Sequence, residues 1–105
     1  AFPTWLAPVQ VKVLPISEKF VDYAEKVKGQ LEAANIRVEL DNRDEKIGYK
    51  IREARNERVP YMLVVGEKDM EADKVSLRSR ANGEEGQFDL TDVIDRISKE
   101  IKERA

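Results

Sequence analysis

The chain has 105 residues, the size of one domain, with no room for a second core of independent stability. Hydrophobic residues make up 41% and charged residues 38%, so a thin apolar core is expected beneath a heavily ionised surface. The absence of Cys and His excludes disulfides, thiolate or imidazole metal sites and most hydrolytic mechanisms, and the net charge of −2 speaks against tight binding of a long nucleic-acid backbone while allowing a small footprint on a few bases.

From Val9 to Leu14 the pattern VQVKVL alternates, which predicts a first strand with Val9, Val11 and Val13 on one face and Pro15 as its boundary. Ser17 is a candidate N-cap for a helix whose apolar residues Phe20, Ala24, Val27, Leu31 and Ala34 recur at helical spacing, and Asn35 suits a left-handed end. Ile36, Val38 and Leu40 alternate with Arg37 and Glu39, predicting a half-buried second strand. The segment from Asp41 to Pro60 starts polar and becomes helical, with Ile47, Ile51 and Ala54 inward and Pro60 forcing the exit. YMLVV, Tyr61 to Val65, is a continuous apolar run ending at Gly66, the mark of a central strand covered on both sides.

EKDMEAD then reads as a charged loop, and KVSLRSR alternates again with Val75 and Leu77 inward and Ser76, Arg78 and Arg80 outward. An Asn-Gly turn signal follows at Asn82, Gln87 to Leu90 reads as one more short strand, and Asp89 or Thr91 caps a last helix with the stripe Leu90, Val93, Ile94, Ile97 and Ile101. Right-handed crossovers make the first three strands parallel, and the short connection after Gly66 favours an antiparallel neighbour. The expected fold is α/β, a mixed, mostly parallel sheet of about five strands with three helices on its faces. Ligands of such sheets sit beyond the carboxyl ends of the parallel strands, here around Asn42 to Lys46 and Gly66 to Asp69.

Neither GxGxxG nor GxxxxGK[ST] occurs, which removes the usual nucleotide cradles. Glu67, Asp69, Glu71 and Asp73 match no calcium template and read as a solvated loop, so no metal or cofactor is expected in the chain. Between Arg43 and Arg58, six cations (Arg43, Lys46, Lys50, Arg52, Arg55 and Arg58) stand against Asp44, Glu45, Glu53 and Glu57. On charge alone an exposed helix with internal ion pairs outweighs a nucleic-acid surface there, and Arg78 and Arg80 fit a solvated strand edge as well as a binding face. No apolar run approaches the roughly 18 residues of a spanning helix, and AFPTWLAP lacks the basic start and long apolar stretch of a signal peptide. A cytoplasmic chain with no membrane partner is expected.

FPTWLAPVQV, NRDEKIGYKIREA, RVPYMLVVGEKD and KVSLRSR, in this order and across essentially the whole chain, resemble the C-terminal anticodon-binding domain of threonyl-tRNA synthetase, a class II aminoacyl-tRNA synthetase. Prolyl-, glycyl- and histidyl-tRNA synthetases share that class IIa anticodon-binding fold more distantly. The resemblance implies that residues 1–8 are a junction from a catalytic domain and residues 9–105 the anticodon-binding domain. The isolated domain would catalyse nothing. The parent implied is a homodimeric threonine–tRNA ligase whose ATP, threonine and zinc belong to the catalytic part, and the implied partners are that catalytic domain and the anticodon loop of threonine tRNA.

The family reads the G and U of the threonine anticodon from an unwound loop, where bases expose their Watson–Crick edges. By motif, the guanine contacts fall on Asp69 of GEKD and Arg78 of KVSLRSR, a carboxylate and a guanidinium complementary to guanine's donors and acceptors. Lys46 carries over as a contact near the anticodon and Arg58 as a backbone contact, with Arg43, Arg52 and Arg80 as phosphate or structural candidates. Asp44 stands where related sequences often have Asn and so only accepts hydrogen bonds, and Asp69 stands where Glu is common. The alternative is a non-catalytic accessory or protein-interaction module of the same fold, as in the accessory subunit of mitochondrial DNA polymerase; the retained pairing of Asp69 and Arg78 argues against it.

Overall fold

The computed structural model describes residues 2–104. Strands β1 (Val11–Pro15), β2 (Val38–Leu40), β3 (Tyr61–Val65), β4 (Val75–Ser79) and β5 (Gly83–Phe88) form one sheet in the order β2-β1-β3-β4-β5. β1 pairs parallel with β2 and β3, whereas β4 and β5 add antiparallel, as the lengths of the connections require. Helices α1 (Val21–Ala33) and α4 (Leu90–Lys102) cover one face, and α2 (Ile47–Asn56) lies on the other. The expected α/β fold with a five-stranded mixed sheet and three longer helices is therefore observed.

Sequence alternation sorts the two faces. Val11 and Val13, Tyr61, Leu63 and Val65, and Val75 and Leu77 point into the larger core with Ala24, Val27, Leu31, Val93 and Ile97. Leu14 and Met62 point the other way and meet Ala54 and Val59 under α2, with Ile47 and Ile51 packed at its margin. Val9, expected beside Val11 and Val13, belongs to this second cluster, because it precedes the strand and Gln10 turns inward to accept a bond from the Arg37 amide at 2.8 Å. Asn35, at φ 62°, closes the first helix as anticipated, two residues beyond its last turn.

The second correction concerns EKDMEAD. Glu67–Ala72 forms a short helix, α3, because Asp69 reaches back to its own start: Oδ2 accepts from the Gly66 amide at 3.0 Å, satisfying an amide that the first turn leaves without a partner. A run of four acidic residues with no apolar period gives no helical stripe, so only the capping spacing carried the signal. The last strand also starts earlier than expected, at Gly83 rather than Gln87. Between Leu77 and Arg78 the β4–β5 register shifts, opposite a Gly86 with φ 96°, and this bulge re-aims β5. Phe88 packs into the main core, Glu85 bonds Arg96 of α4, and Glu84 and Gln87 meet partners on the opposite face.

The segment before β1 is fastened to the body. Thr4 and Ala7 are buried, the Gln10 amide donates to the Thr4 carbonyl at 3.0 Å, and the Arg37 guanidinium donates to the carbonyls of Trp5 and Ala7. Arg104 lies 5.0 Å over the Trp5 ring, while Phe2 and Leu6 are exposed. Trp5 thus packs against the chain's own surface, whereas Phe2 and Leu6 stay exposed. Among the described residues no helix is long and apolar enough to cross a membrane.

Candidate nucleic-acid interface

α2 is too short and too far to one side to cover the whole sheet face it lies on. The apolar cluster beneath it takes residues from β1 and β3 and none from β4 or β5. The antiparallel hairpin is thus left open on that face, and its outward positions are Ser76 and Arg78 on β4 opposite Gln87 and Glu84 on β5. This open platform is bordered by α3 on one side and by the C-terminal end of α2 on the other.

Asp69 sits at the α3 border, nearly buried, with its carboxylate engaged three times. Besides the Gly66 amide, it accepts from Ser76 Oγ at 2.7 Å and from Gln87 Nε2 at 3.1 Å, both on Oδ1. A carboxylate has about four acceptor positions; only Gln87, an exposed side chain, holds one with a group free to leave. Arg78 is part-exposed on the same face, two residues further along β4, and its only carboxylate partner among the described residues is exposed Glu84 at 3.3 Å. Asp69 and Arg78 therefore share one surface without touching each other.

At the α2 border, Arg55, Arg58 and Arg80 surround Val59 and Met62 together with Arg78. Arg80 Nη1 donates to the Arg58 carbonyl at 3.2 Å, tying the end of β4 to the end of α2. Arg52, on the same helix, is exposed and outside this cluster.

The remaining candidates lie elsewhere. Arg43, Asp44 and Lys46 line an open cleft beyond the carboxyl ends of β1 and β2, with Ile16, Lys19 and Lys50. α2 starts at Ile47 and ends at Asn56; a helix of that length spans about 15 Å, so Lys46 and Arg58 stand at opposite ends of the site. Arg43 is committed to structure: it donates twice to buried Asp41, at 2.8 Å each, and also pairs with Glu53. Those hydrogen bonds hold the Asp41 carboxyl below its usual range, against the opposing effect of burial. Lys50, buried beneath the cleft, donates to the carbonyls of Pro15 and Asp41 and fastens the ends of β1 and β2 to α2. The side chains of Asp44 and Lys46 are exposed and without a hydrogen-bond or ion-pair partner among the described residues.

Two features of this surface escaped the sequence reading. Gln87 had no motif to mark it, since its contact with Asp69 depends on a bulge. Arg55 was counted among helix charges, and only the Pro60 exit, which brings the helix end against β4, joins it to Arg78. Among the described residues no group of three or more acidic or histidine side chains is placed to hold a metal.

Comparisons with known proteins show the family of the chain. The chain is 61% identical over 104 residues to the threonine–tRNA ligase of Clostridium perfringens (strain SM101 / Type A), covering 99% of this chain and 16% of the relative. It is 59% identical over 105 residues to that of Caldanaerobacter subterraneus subsp. tengcongensis, again 16% of the relative. The chain therefore spans about one-sixth of the length of these curated relatives. Among solved structures, the RNA-binding domain of threonyl-tRNA synthetase from Cryptosporidium parvum Iowa II superposes with a TM-score of 0.87 at 38% identity, over 93% of this chain and 25% of that one. Prolyl-tRNA synthetase from the same genus and species follows at 0.85 and 28%, over 96% and 22%. The family profile described as anticodon binding domain matches residues 10–100, which span the whole sheet and all of the helices described above except the last turn of α4, and the chain belongs to the anticodon-binding domain family.

Proposed function

We propose that this chain binds the anticodon loop of threonine tRNA as the C-terminal domain of a threonyl-tRNA synthetase, and that the open β4–β5 face is where the loop lies. The observation that carries the reading is the combination of a whole-chain likeness to threonine–tRNA ligases with an uncovered sheet face bearing Arg78 and Asp69. The chain positions tRNA and discriminates among species by differential affinity. ATP, threonine and zinc belong to the larger part of the parent, which is a cytoplasmic homodimer in this reading and whose catalytic domain precedes residues 1–8.

Within the loop, the middle guanine is read by Arg78, whose planar fork suits O6 and N7, and by the Asp69 carboxylate, which accepts from guanine's ring and exocyclic N–H groups. The geometry of Asp69 supports a defined exchange. Gln87 Nε2 presents an amide donor to Oδ1 in the free chain, and a guanine N–H supplies the same donor when Gln87 swings away. Gly66 and Ser76 keep the carboxylate oriented throughout. Asp44 and Lys46, exposed at the far cleft, are the contacts for the third base and its phosphate, with Arg43 holding the loop that carries them. Arg52, exposed on α2, is left to a peripheral phosphate or to solvent.

The test is binding of the chain to RNA hairpins carrying a threonine anticodon or an unrelated one, in one buffer. The threonine loop should bind tighter, and equal affinities would contradict the assignment.

A further inference from the structure

β4 and β5 do not pair residue for residue. Leu77 stands opposite Gly86 and Arg78 opposite Glu84, so Glu85 is the extra residue of the bulge, with no partner of its own on β4. Two glutamates thus compete for one place. Residues directly opposite one another share a face of the sheet, so an unbroken register would set Glu85 beside Arg78 on the open face and turn Glu84 toward α4. The bulge reverses that choice: Glu84 takes the open face and pairs with Arg78 at 3.3 Å, while Glu85 meets Arg96 of α4.

Four donors hold Glu85 on the α4 side. Arg96 donates from both Nη atoms, at 2.7 and 3.0 Å, Asn82 Nδ2 adds a bond at 3.4 Å, and Ser79 on the opposite strand donates its hydroxyl. Arg96 is itself seated over the Tyr61 ring, 5.5 Å from its centre, and Tyr61 lies opposite Ser79 in the sheet. A two-pronged guanidinium–carboxylate pair fixes direction as well as distance. The next residue, Gly86, has φ 96°, a backbone conformation open to glycine, so the chain there follows the bulge without strain. The consequence falls on Arg78. A bulge sharpens the local twist and re-aims the side chain opposite it, and here it leaves Arg78 beside a glutamate whose side chain is 72% exposed and which makes a single bond to it.

We propose that Glu85 is a positioning residue for the RNA face: anchored to Arg96, it keeps the bulge in place, and the bulge aims Arg78 at the RNA with only a displaceable partner beside it. Glu85 touches no RNA and acts through Arg78. The inference rests on the reading of Arg78 as a guanine contact given above.

The experiment compares wild type, Glu85→Gln, Gly86→Ala, Arg78→Ala and the double variants that join each of the first two changes to Arg78→Ala. Binding to threonine anticodon hairpins with guanine or adenine at the middle base is measured well below each thermal midpoint. Cross-strand nuclear Overhauser contacts of β4 and β5 are recorded for the free chains. Glu85→Gln keeps the size of the side chain but cannot accept Arg96 on two oxygens. Gly86→Ala reaches the same bulge by another route, because the added Cβ meets nothing within 4 Å and disturbs only a backbone at φ 96°. Each variant should weaken the contacts between Arg78 and Glu84 and reduce the preference for guanine several-fold. In the Arg78→Ala background neither change should alter RNA binding further, a non-additivity that separates positioning from a general loosening of the hairpin. Wild-type guanine preference in Glu85→Gln would overturn the proposal, as would equal, additive losses for guanine and adenine. A loss in Glu85→Gln with full preference kept in Gly86→Ala would take the effect away from the bulge and overturn it too. Should Glu85→Gln fail to fold, Gly86→Ala and its double variant carry the same comparison. If wild type bound the guanine and adenine hairpins alike, the reading of Arg78 would fail, while the contacts in the free chains would still decide whether Glu85 holds the bulge.

Discussion

Asp69 shows how a single residue can carry two demands. Its carboxylate caps α3 and orders Ser76 and Gln87, so its removal leaves a buried amide and a hydroxyl without their acceptor. Asp69→Ala should therefore lower stability by about 2 kcal/mol, the cost of a lost cap together with unsatisfied donors, read from urea unfolding. A stable variant with unchanged midpoint would show that the cap is replaceable by water. Gln87→Ala should act in the opposite sense on binding. With the competing amide gone, affinity for a guanine-bearing loop should rise by about threefold to tenfold, the net worth of one solvent-accessible hydrogen bond, and fluorescence titration would register it; a loss would mean that Gln87 itself touches RNA. Arg78→Ala should cost about 1–3 kcal/mol for guanine and less for adenine at the same base, with Arg78→Lys recovering only part. The identity of Arg78 as an outward residue was legible from the alternation of KVSLRSR. The threefold engagement of Asp69 was not, because Gln87 is eighteen positions away and reaches it only through strand pairing.

At the scale of elements, β1, β3, α1 and α4 were legible because their apolar periods match the faces they bury. α3 and the start of β5 were not: the first is a helix made by a cap rather than by a stripe, and the second is an edge strand whose sequence GEEGQF has little apolar content. What stabilises β5 instead is polar. Glu85 accepts two bonds from Arg96 of α4, at 2.7 and 3.0 Å, and further bonds from Ser79 and Asn82. The Arg96 bonds hold its carboxyl down at about 2, with Ser79 assisting and burial opposing. Since the folded value lies below the ordinary 4.5, the stabilisation is present above that value and is lost as pH falls toward 2. Glu85→Gln should be less stable than wild type by about 1 kcal/mol near neutrality, allowing for the exposure of Arg96. The gap should narrow steadily below pH 4.5, as denaturant midpoints across that range would record. A gap independent of pH would make the pair a packing contact only. Tyr61, on β3, completes this side: burial and its bond to Glu100 push its hydroxyl up to about 12, so it stays neutral and donating.

For the molecule as a whole, the division of the sheet explains the division of labour. One face is closed by α1 and α4 over a continuous core, and the other is closed by α2 over β1 and β3 but left open over β4 and β5. Stability thus resides in one half of the sheet's second face, the other half is the binding face we propose, and every buried side-chain polar atom among the described residues has a partner. Composition could announce a single α/β domain, but which face stays open depends on the length of α2 and on the bulge in β5, neither of which has a sequence period. The most direct test is amide chemical-shift mapping of the isotopically labelled chain with a threonine anticodon hairpin. Perturbations should concentrate at Ser76, Arg78 and Gln87, at the Gly66–Asp69 turn and at the Arg55–Val59 end of α2, while α1 and α4 stay quiet. Shifts gathered on α1 and α4, with the β4–β5 face unchanged, would contradict the account.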